Sequence, residues 1–235
     1  MSEEPAILPP FAITGLLFEN PFSCENDVAD WIREGQPILN FDEGKLKLSN
    51  GLDPEAGQAA NYLFWAPPVI DGSFRATWKF RPLEEPGLAM FWFCAAGRNG
   101  EDLFDPSLAP RNGNYRQYHS GDINAYHLSY FRRKNPDERG FHTCNLRKSH
   151  GFHLVAQGAD PIPDVEDVRD AFTVEVVKLG SRIRFAIDGL VLFTWKDDGS
   201  IGGPAHGPGR IGFRQMAPLV ATYADLRVES IEEVK

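Results

Sequence analysis

Residues 172–199, FTVEVVKLGSRIRFAIDGLVLFTWKDDG, alternate apolar and polar side chains and break the alternation twice, at LGS and at DG. A period of two is that of a strand with one buried face, and both interruptions are hairpin-turn sequences. The segment therefore predicts three consecutive antiparallel strands. A sheet of this kind must bury its apolar face against a second layer, which restricts the rest of the chain to supplying that layer.

It supplies more strands. GKLKLSN alternates Leu46 and Leu48 with lysines, and IDGSFRATWKFRP alternates Phe74, Ala76, Trp78 and Phe80 against Arg75, Thr77 and Lys79 after a DG turn. ANYLFWAPP ends at a proline pair, while GRIGFRQMAP and ATYADLRVESI add two strands near the C-terminus. GLAMFWFCAAG is apolar at both parities, as expected of a central strand covered on both sides. Helical signals are few: NDVADWIREG predicts a short helix led by Asn26 or Asp27, and DPSLAP and VEDVRDAF predict turns. No repeat or low-complexity linker divides the 235 residues. The expectation is an all-β, two-sheet sandwich of a dozen or more strands forming one domain over 1–235, with 1–14 as an N-terminal extension.

The formal net charge of −9 disfavours nucleic acid and anionic membranes as partners. No run of about 18 apolar residues occurs, and MSEEPAILPPFAITG lacks the basic and apolar regions of a signal peptide, so a soluble, cytoplasmic protein is expected. Cys24, Cys94 and Cys144 are widely spaced without a CxxC pair, which predicts buried free thiols rather than a disulfide framework or zinc site.

Charge is unevenly distributed. Between Arg111 and His153 eight Lys and Arg residues face three acidic ones, and five of the six histidines fall there. Within this stretch, NAYHLSYFRR reads as a strand with Tyr126, Leu128, Tyr130 and Arg132 on one side and His127, Ser129, Phe131 and Arg133 on the other. One side would pack into the core and the other would line a groove. Alternation leaves the choice open, although Tyr126, Tyr130 and Arg132 look like a sugar-binding row.

The closing pattern FTVEV, IRFAIDGLVLF, GRIGFRQMAP and YADLRV, with the opening Trp31, DEGKLKLSN and GLAMFWFCAAG, resembles the concanavalin A-like jelly rolls of lectins and glucanases. RNGNYRQYHSGDINAYHLSYFRR, HTCNLRKSHGFHLVAQGADPIP, KDDG and IGFRQMAP are similar to the YesU-like family of bacterial proteins within that fold, over about residues 15 to 230. The resemblance implies the jelly roll. It also implies saccharide chemistry, because the family's type member is associated with genes for the use of pectic rhamnogalacturonan.

A concave jelly-roll sheet can present aromatic rings that stack on pyranose C–H faces and Arg or Asn groups that bond hydroxyls and carboxylates. Hydrolysis with retention needs two carboxylates about 5 Å apart, and the chain has no E-x-D-x-x-E strand. Asp122, Asp160, Asp197 and Asp198 lie in turn-like contexts expected to be solvated. Elimination needs a cation on the uronate carboxylate, a base and an acid. In that scheme His119 or His142 is the base and Tyr130 or Tyr126 the acid. Arg132, Asn145, Arg147, Lys148, Tyr115, Tyr118, Arg214 and Gln215 bind an anionic sugar. The alternative is a lectin-like module that uses the same aromatic and Arg groups without catalysis.

Asn145 and Arg147 share a parity in TCNLRK, with Leu146 opposite. In GFRQMAP, Gly212 and Arg214 oppose Phe213 and Gln215; the glycine beside Arg214 would leave room for a ligand or mark a tight sheet contact. FRRKNPDERG is expected to be a solvated connection whose Arg133, Lys134 and Arg139 pair with Asp137 and Glu138. A structural calcium ion on Asp102 and Asp105 of GRNGEDLFDP is the one metal site entertained. HxH and HExxH spacings and a phosphate-binding glycine loop are missing from the sequence, so no other cofactor is expected.

Overall fold

The computed structural model describes residues 7–135, 138 and 140–234. Asp137 and Arg139 of the predicted ion pairs lie outside the described residues. The strands are β1 (Phe11–Asn20), β2 (Ile32–Glu34), β3 (Pro37–Asp42), β4 (Lys45–Asn50), β5 (Tyr62–Ile70), β6 (Phe74–Glu84), β7 (Leu88–Gly97), β8 (Ile123–Tyr130), β9 (Thr143–Ser149) and β10 (His153–Ala159). Then follow β11 (Phe172–Leu179), β12 (Arg182–Ile187), β13 (Leu190–Lys196), β14 (Gly209–Met216) and β15 (Val220–Glu233). No helix among the described residues is long and apolar enough to cross a membrane.

Two antiparallel sheets result. One has the order β13-β12-β11-β6-β15-β4-β3, and the second has the order β10-β9-β8-β7-β14-β5-β2. β15 is long enough to pair β4 through Ala221–Tyr223 and β1 through Leu226–Glu233. β1 begins at Phe11, so residues 11–14 belong to the sheet rather than to an extension. The predicted meander 172–199 is β11-β12-β13, with the alternation setting which face is inward. Between the sheets lies an aromatic core in which Trp78 stacks on Phe91 at 4.5 Å and Trp31 on Phe64 at 4.7 Å. Burial of such large apolar rings is the main force holding the layers together.

NDVADWIREG forms only a 3₁₀ turn, Glu25–Val28, before β2. Asp27 does not lead a helix; its carboxylate accepts from the backbone N–H of Ser23 at 2.7 Å and of Cys24 at 3.1 Å, which fastens the turn backwards.

The two parities of β8 are resolved by its partners. Tyr126, Leu128 and Tyr130 point between the sheets, and Trp78 Nε1 donates to the Tyr130 hydroxyl at 3.1 Å. Tyr126 and Tyr130 are therefore core residues, not a sugar-binding row. His127 and Ser129 take the outer side, the face expected to be concave in a jelly roll. Phe131 then adopts a positive φ of 46°, which ends the alternation and returns Arg132 to the concave side beside Thr143.

Several further expectations are corrected. Lys148 points inward and is sealed in an ion pair with Asp197 at 2.7 Å, so neither is a groove or solvated loop residue. Gln215 lies between the sheets, its amide between the hydroxyls of Tyr62 (2.7 Å) and Tyr223 (3.0 Å). Arg133 is buried against Asp160 at 3.5 Å and donates to the Ile162 carbonyl, so this part of FRRKNPDERG is core and Asp160 is not solvated. His142 shares the parity of Cys144 and Leu146 and sits at the end of the sandwich, 3.7 Å from Asp164 Oδ1. Gly212 leaves no room for a ligand, because a Cβ there would meet the Trp65 indole at 2.5 Å.

Candidate functional site on the concave sheet

Strand register lays two rows of side chains across the concave face. One runs Gln157, Asn145, Ser129, Met90, Arg214, Leu63, Glu34; the next runs Leu154, Arg147, His127, Trp92, Gly212, Trp65, Ile32. The two ends of these rows have different environments.

From β7 to β5 the face is covered by the connection between β7 and β8, residues 98–122. Leu103 and Tyr118 are buried against Leu63, Trp65, Met90 and Trp92, with Phe104, Leu108 and Tyr115 packed on the same cluster. Arg111 of this connection pairs with Glu34 at 2.9 Å. Tyr118 accepts from the Gly113 N–H at 2.9 Å and is fully buried, which removes it from the expected binding residues. Arg214 is on the concave face as its parity predicts, yet it too is fully buried, with its guanidinium 5.1 Å from the Tyr115 ring centre and donating to the Gly113 carbonyl at 2.7 Å. Burial without a carboxylate partner among the described residues lowers its pKa to about 10. It cannot touch a ligand directly while Tyr115 covers it.

Over β9 and β10 the face is open, and here the structure brings together Tyr115, His119, Arg132, Asn145 and Arg147. Arg147 lies with its guanidinium 3.8 Å from the Phe152 ring centre and donates to the Phe152 carbonyl at 3.1 Å. No carboxylate among the described residues pairs with it. Burial, followed by the nearby positive charge of Arg132, lowers its pKa, so an added anion would relieve an unfavourable local field. Arg132 pairs with Glu138 at 2.7 Å and donates to Thr143 Oγ1 at 2.6 Å. The Asn145 amide lies within hydrogen-bonding reach of Arg132 (3.1 Å) and Gln157 (2.7 Å).

His127 joins the open and covered regions. Its ring stacks on Trp92 at 4.2 Å and 7°, its Nδ1 is 3.1 Å from the Tyr115 hydroxyl, and its Nε2 is 3.0 Å from Ser149 Oγ. Ser149 Oγ donates to the Gly151 carbonyl at 3.0 Å, so it accepts from His127 Nε2–H, and Nδ1 accepts from the phenol. Burial holds the imidazole neutral and the Tyr115 phenol protonated. His119, on the helical turn α1 (Arg116–His119), packs edge-on to Tyr115 at 4.8 Å. Burial and then the charges of Arg116 and Arg147 lower its pKa. Its Nδ1 faces Ser120 Oγ at 2.7 Å, and its Nε2 has no hydrogen-bond partner among the described residues.

Sequence reasoning missed His127, Phe152 and Gln157. Parity would have found His127 once Leu128 was assigned to the core, and Gln157 follows only from the β9–β10 register. Phe152 carries no sequence signal, because its role comes from the turn that folds it beneath Arg147.

Two carboxylates beside this face, Glu34 and Glu138, are each held by an arginine. No group of three or more His, Cys, Asp or Glu side chains among the described residues is placed to hold a metal ion. The two acids expected to bind calcium are engaged separately. Asp102 pairs with Arg210 at 2.9 Å, and Asp105 accepts from the Ser107 N–H at 2.9 Å.

Comparisons with known proteins agree with this architecture. A family model described as "Domain of unknown function (DUF1961)" matches residues 15–228. The chain is 50% identical over 212 residues to "Uncharacterized protein YesU" of Bacillus subtilis (strain 168), covering 90% of this chain and 94% of that protein. A crystal structure of a Bacillus subtilis protein of unknown function with a galectin-like fold superposes with a TM-score of 0.92 at 47% identity, covering 96% of this chain and all of the other. Two remoter structures share the fold alone. The carbohydrate recognition domain of Emp46p, in its potassium-bound form, has a TM-score of 0.61 at 13% identity, covering 91% and 95% of the two chains. LamA of Zobellia galactanivorans, as the E269S variant with laminaritriose and laminaritetraose, has a TM-score of 0.60 at 10% identity, covering 93% and 100%.

Proposed function

This chain belongs to the DUF1961 family, and from that premise we propose that it binds an acidic saccharide at the open end of the concave sheet, with a uronate carboxylate on Arg147. The observation that carries the proposal is the state of that guanidinium. It is half-buried, held flat by Phe152 and unpaired among the described residues, with donors left for a ligand. Planar guanidinium groups match carboxylates through two parallel hydrogen bonds. Gln157 and Arg132 flank it with further donors for hydroxyl groups. Two structures of this fold are described as a carbohydrate recognition domain and as an oligosaccharide complex, which supports a sugar as the ligand class. We place the activity in the cytoplasm, where the ligand would be an imported oligosaccharide.

Titration calorimetry with galacturonate and glucuronate oligosaccharides against their neutral counterparts tests this. A charge-assisted hydrogen bond contributes about 1.5–3 kcal/mol, so Arg147→Ala should weaken uronate binding by about ten- to hundredfold. Equal affinity for acidic and neutral sugars, or no effect of Arg147→Ala, would refute the assignment.

A second reading, elimination, is favoured by His119. Its imidazole is held neutral beside Arg147 with Nε2 unpartnered among the described residues. In this reading Nε2 takes the proton alpha to the carboxylate, C4 and C5 form a double bond, the C4–O bond breaks, and the leaving oxygen gains a proton. The Tyr115 phenol, kept protonated by burial, is the adjacent acid. Ultraviolet absorption of a 4,5-unsaturated uronate checks it, and its absence across the same panel leaves binding alone. Hydrolysis has less support, because Glu34 and Glu138 are both committed to arginines.

A further inference from the structure

The covered half of the concave sheet restricts what a saccharide site there can accept. Along the row Leu154, Arg147, His127, Trp92, Gly212, Trp65, exposure falls abruptly. Leu154 is 46% exposed and Arg147 half-buried, whereas His127 is 1% exposed and Trp92 and Trp65 are fully buried. Tyr115 forms the wall at that step, with its hydroxyl on His127 and its ring edge-on to Trp92 at 6.1 Å and to Phe152 at 5.6 Å.

The wall is fixed from behind. Gly113 and Tyr115 of the 98–122 connection are tied to the sheet by Arg214, and Gln58 Oε1 accepts from the Tyr115 N–H at 3.1 Å. Arg111 adds the buried pair with Glu34, and Leu103 fills the space over Trp65 and Trp92. Such a packed apolar cluster does not part for a ligand without exposing several aromatic rings. Along the strand direction, the Arg132–Glu138 pair lies where β8 has ended and β9 begins, with Arg132 on Thr143. Strand spacing of about 4.8 Å gives the two strands β9 and β10 an open width of roughly 5–10 Å, against seven strands in the sheet. A polysaccharide crossing the sheet would have to pass through Tyr115.

We infer that this site receives the terminal residues of an acidic saccharide and not the interior of a chain, with the end of the ligand abutting Tyr115. The inference rests on the saccharide reading above and adds to it the mode of recognition. The carboxylate on Arg147 would belong to the last or next-to-last sugar, and units beyond the strip would extend past the exposed β10 edge into solvent. Added length then contributes no contacts and little affinity.

Calorimetry with uronate di-, tri- and hexasaccharides, and with the polymer of the same uronate, tests the inference on the unmodified protein. The expected result is that dissociation constants from disaccharide to hexasaccharide agree within about threefold, and that the polymer titrates with a stoichiometry set by its chain ends. Affinity that rises about tenfold or more with length, or several proteins bound along each polymer chain, overturns it while leaving saccharide binding intact. Failure of every acidic and neutral member to bind removes the saccharide reading and this inference together.

Discussion

Lys148 Nζ lies 2.7 Å from Oδ2 and 3.0 Å from Oδ1 of Asp197, and neither side chain reaches solvent. Lys148 also donates to the Gly203 carbonyl, while Asp197 accepts from the Tyr126 hydroxyl. A strand of the concave sheet is thereby pinned to the connection that leads from β13 of one sheet to β14 of the other. Removing one member of a buried pair strands the other's charge, at a cost of about 3–5 kcal/mol. Lys148→Met should therefore lower Tm by roughly 6–20 °C in a thermal melt. The double variant with Asp197→Leu should recover part of the loss, because no charge is left unpaired. A single-variant change below about 1 kcal/mol would mean that the pair has no structural weight.

Acid should destabilise the fold through His206. Burial, followed by the positive charge of Lys148, lowers its pKa from 6.5 to about 4. Between those values the unfolded chain binds a proton that the native imidazole refuses. Its contribution is therefore complete above about pH 6.5 and is lost as pH falls toward 4. Linkage puts the full difference at about 3 kcal/mol. Urea denaturation of wild type and His206→Asn at a series of pH values isolates it. The wild type should lose more stability than the variant over this window, and parallel profiles would contradict the assignment.

The three thiols should differ sharply in reactivity. Cys94 and Cys144 are buried and Cys24 is exposed. Burial raises the Cys94 pKa to about 12 and that of Cys144 well above its ordinary value. A thiol reagent should titrate a single group per native chain at pH 8 and the full set in denaturant. Rapid native reaction at Cys94 or Cys144 would show that the sandwich opens locally.

Gly113 should tolerate no side chain. Its φ is +98°, and a Cβ would stand 2.1 Å from the Asn61 carbonyl oxygen, in the connection that carries Tyr115. Gly113→Ala should cost more than about 1 kcal/mol and should raise proteolytic cleavage within 98–122. A variant with unchanged stability and cleavage would show that this connection is not held where Tyr115 needs it.

The fold was largely legible in the sequence, because alternation and turn residues are local signals and strands obey them. β11, β12 and β13 follow directly from residues 172–199, and the apolar run at 88–97 became β7, covered on both faces. The candidate site was legible in part. Asn145 and Arg147 share the concave face, as their spacing predicts, and Tyr115 and His119 join them from a connection whose course no periodicity reveals.

Sequence by itself determined which residues of β8 stand together: Tyr126 with Leu128 and Tyr130, and His127 with Ser129. Only the tertiary structure decided which group meets the core, because that depends on β7, β9 and the sheet opposite, all remote in the chain. Both groups are buried, one against the second sheet and the other with His127 beneath Tyr115, so hydrophobicity could not separate them. The same long-range packing took Lys148 and Gln215 inward, sealed Arg214 beneath Tyr115, and left Arg147 at the open edge with no carboxylate partner among the described residues.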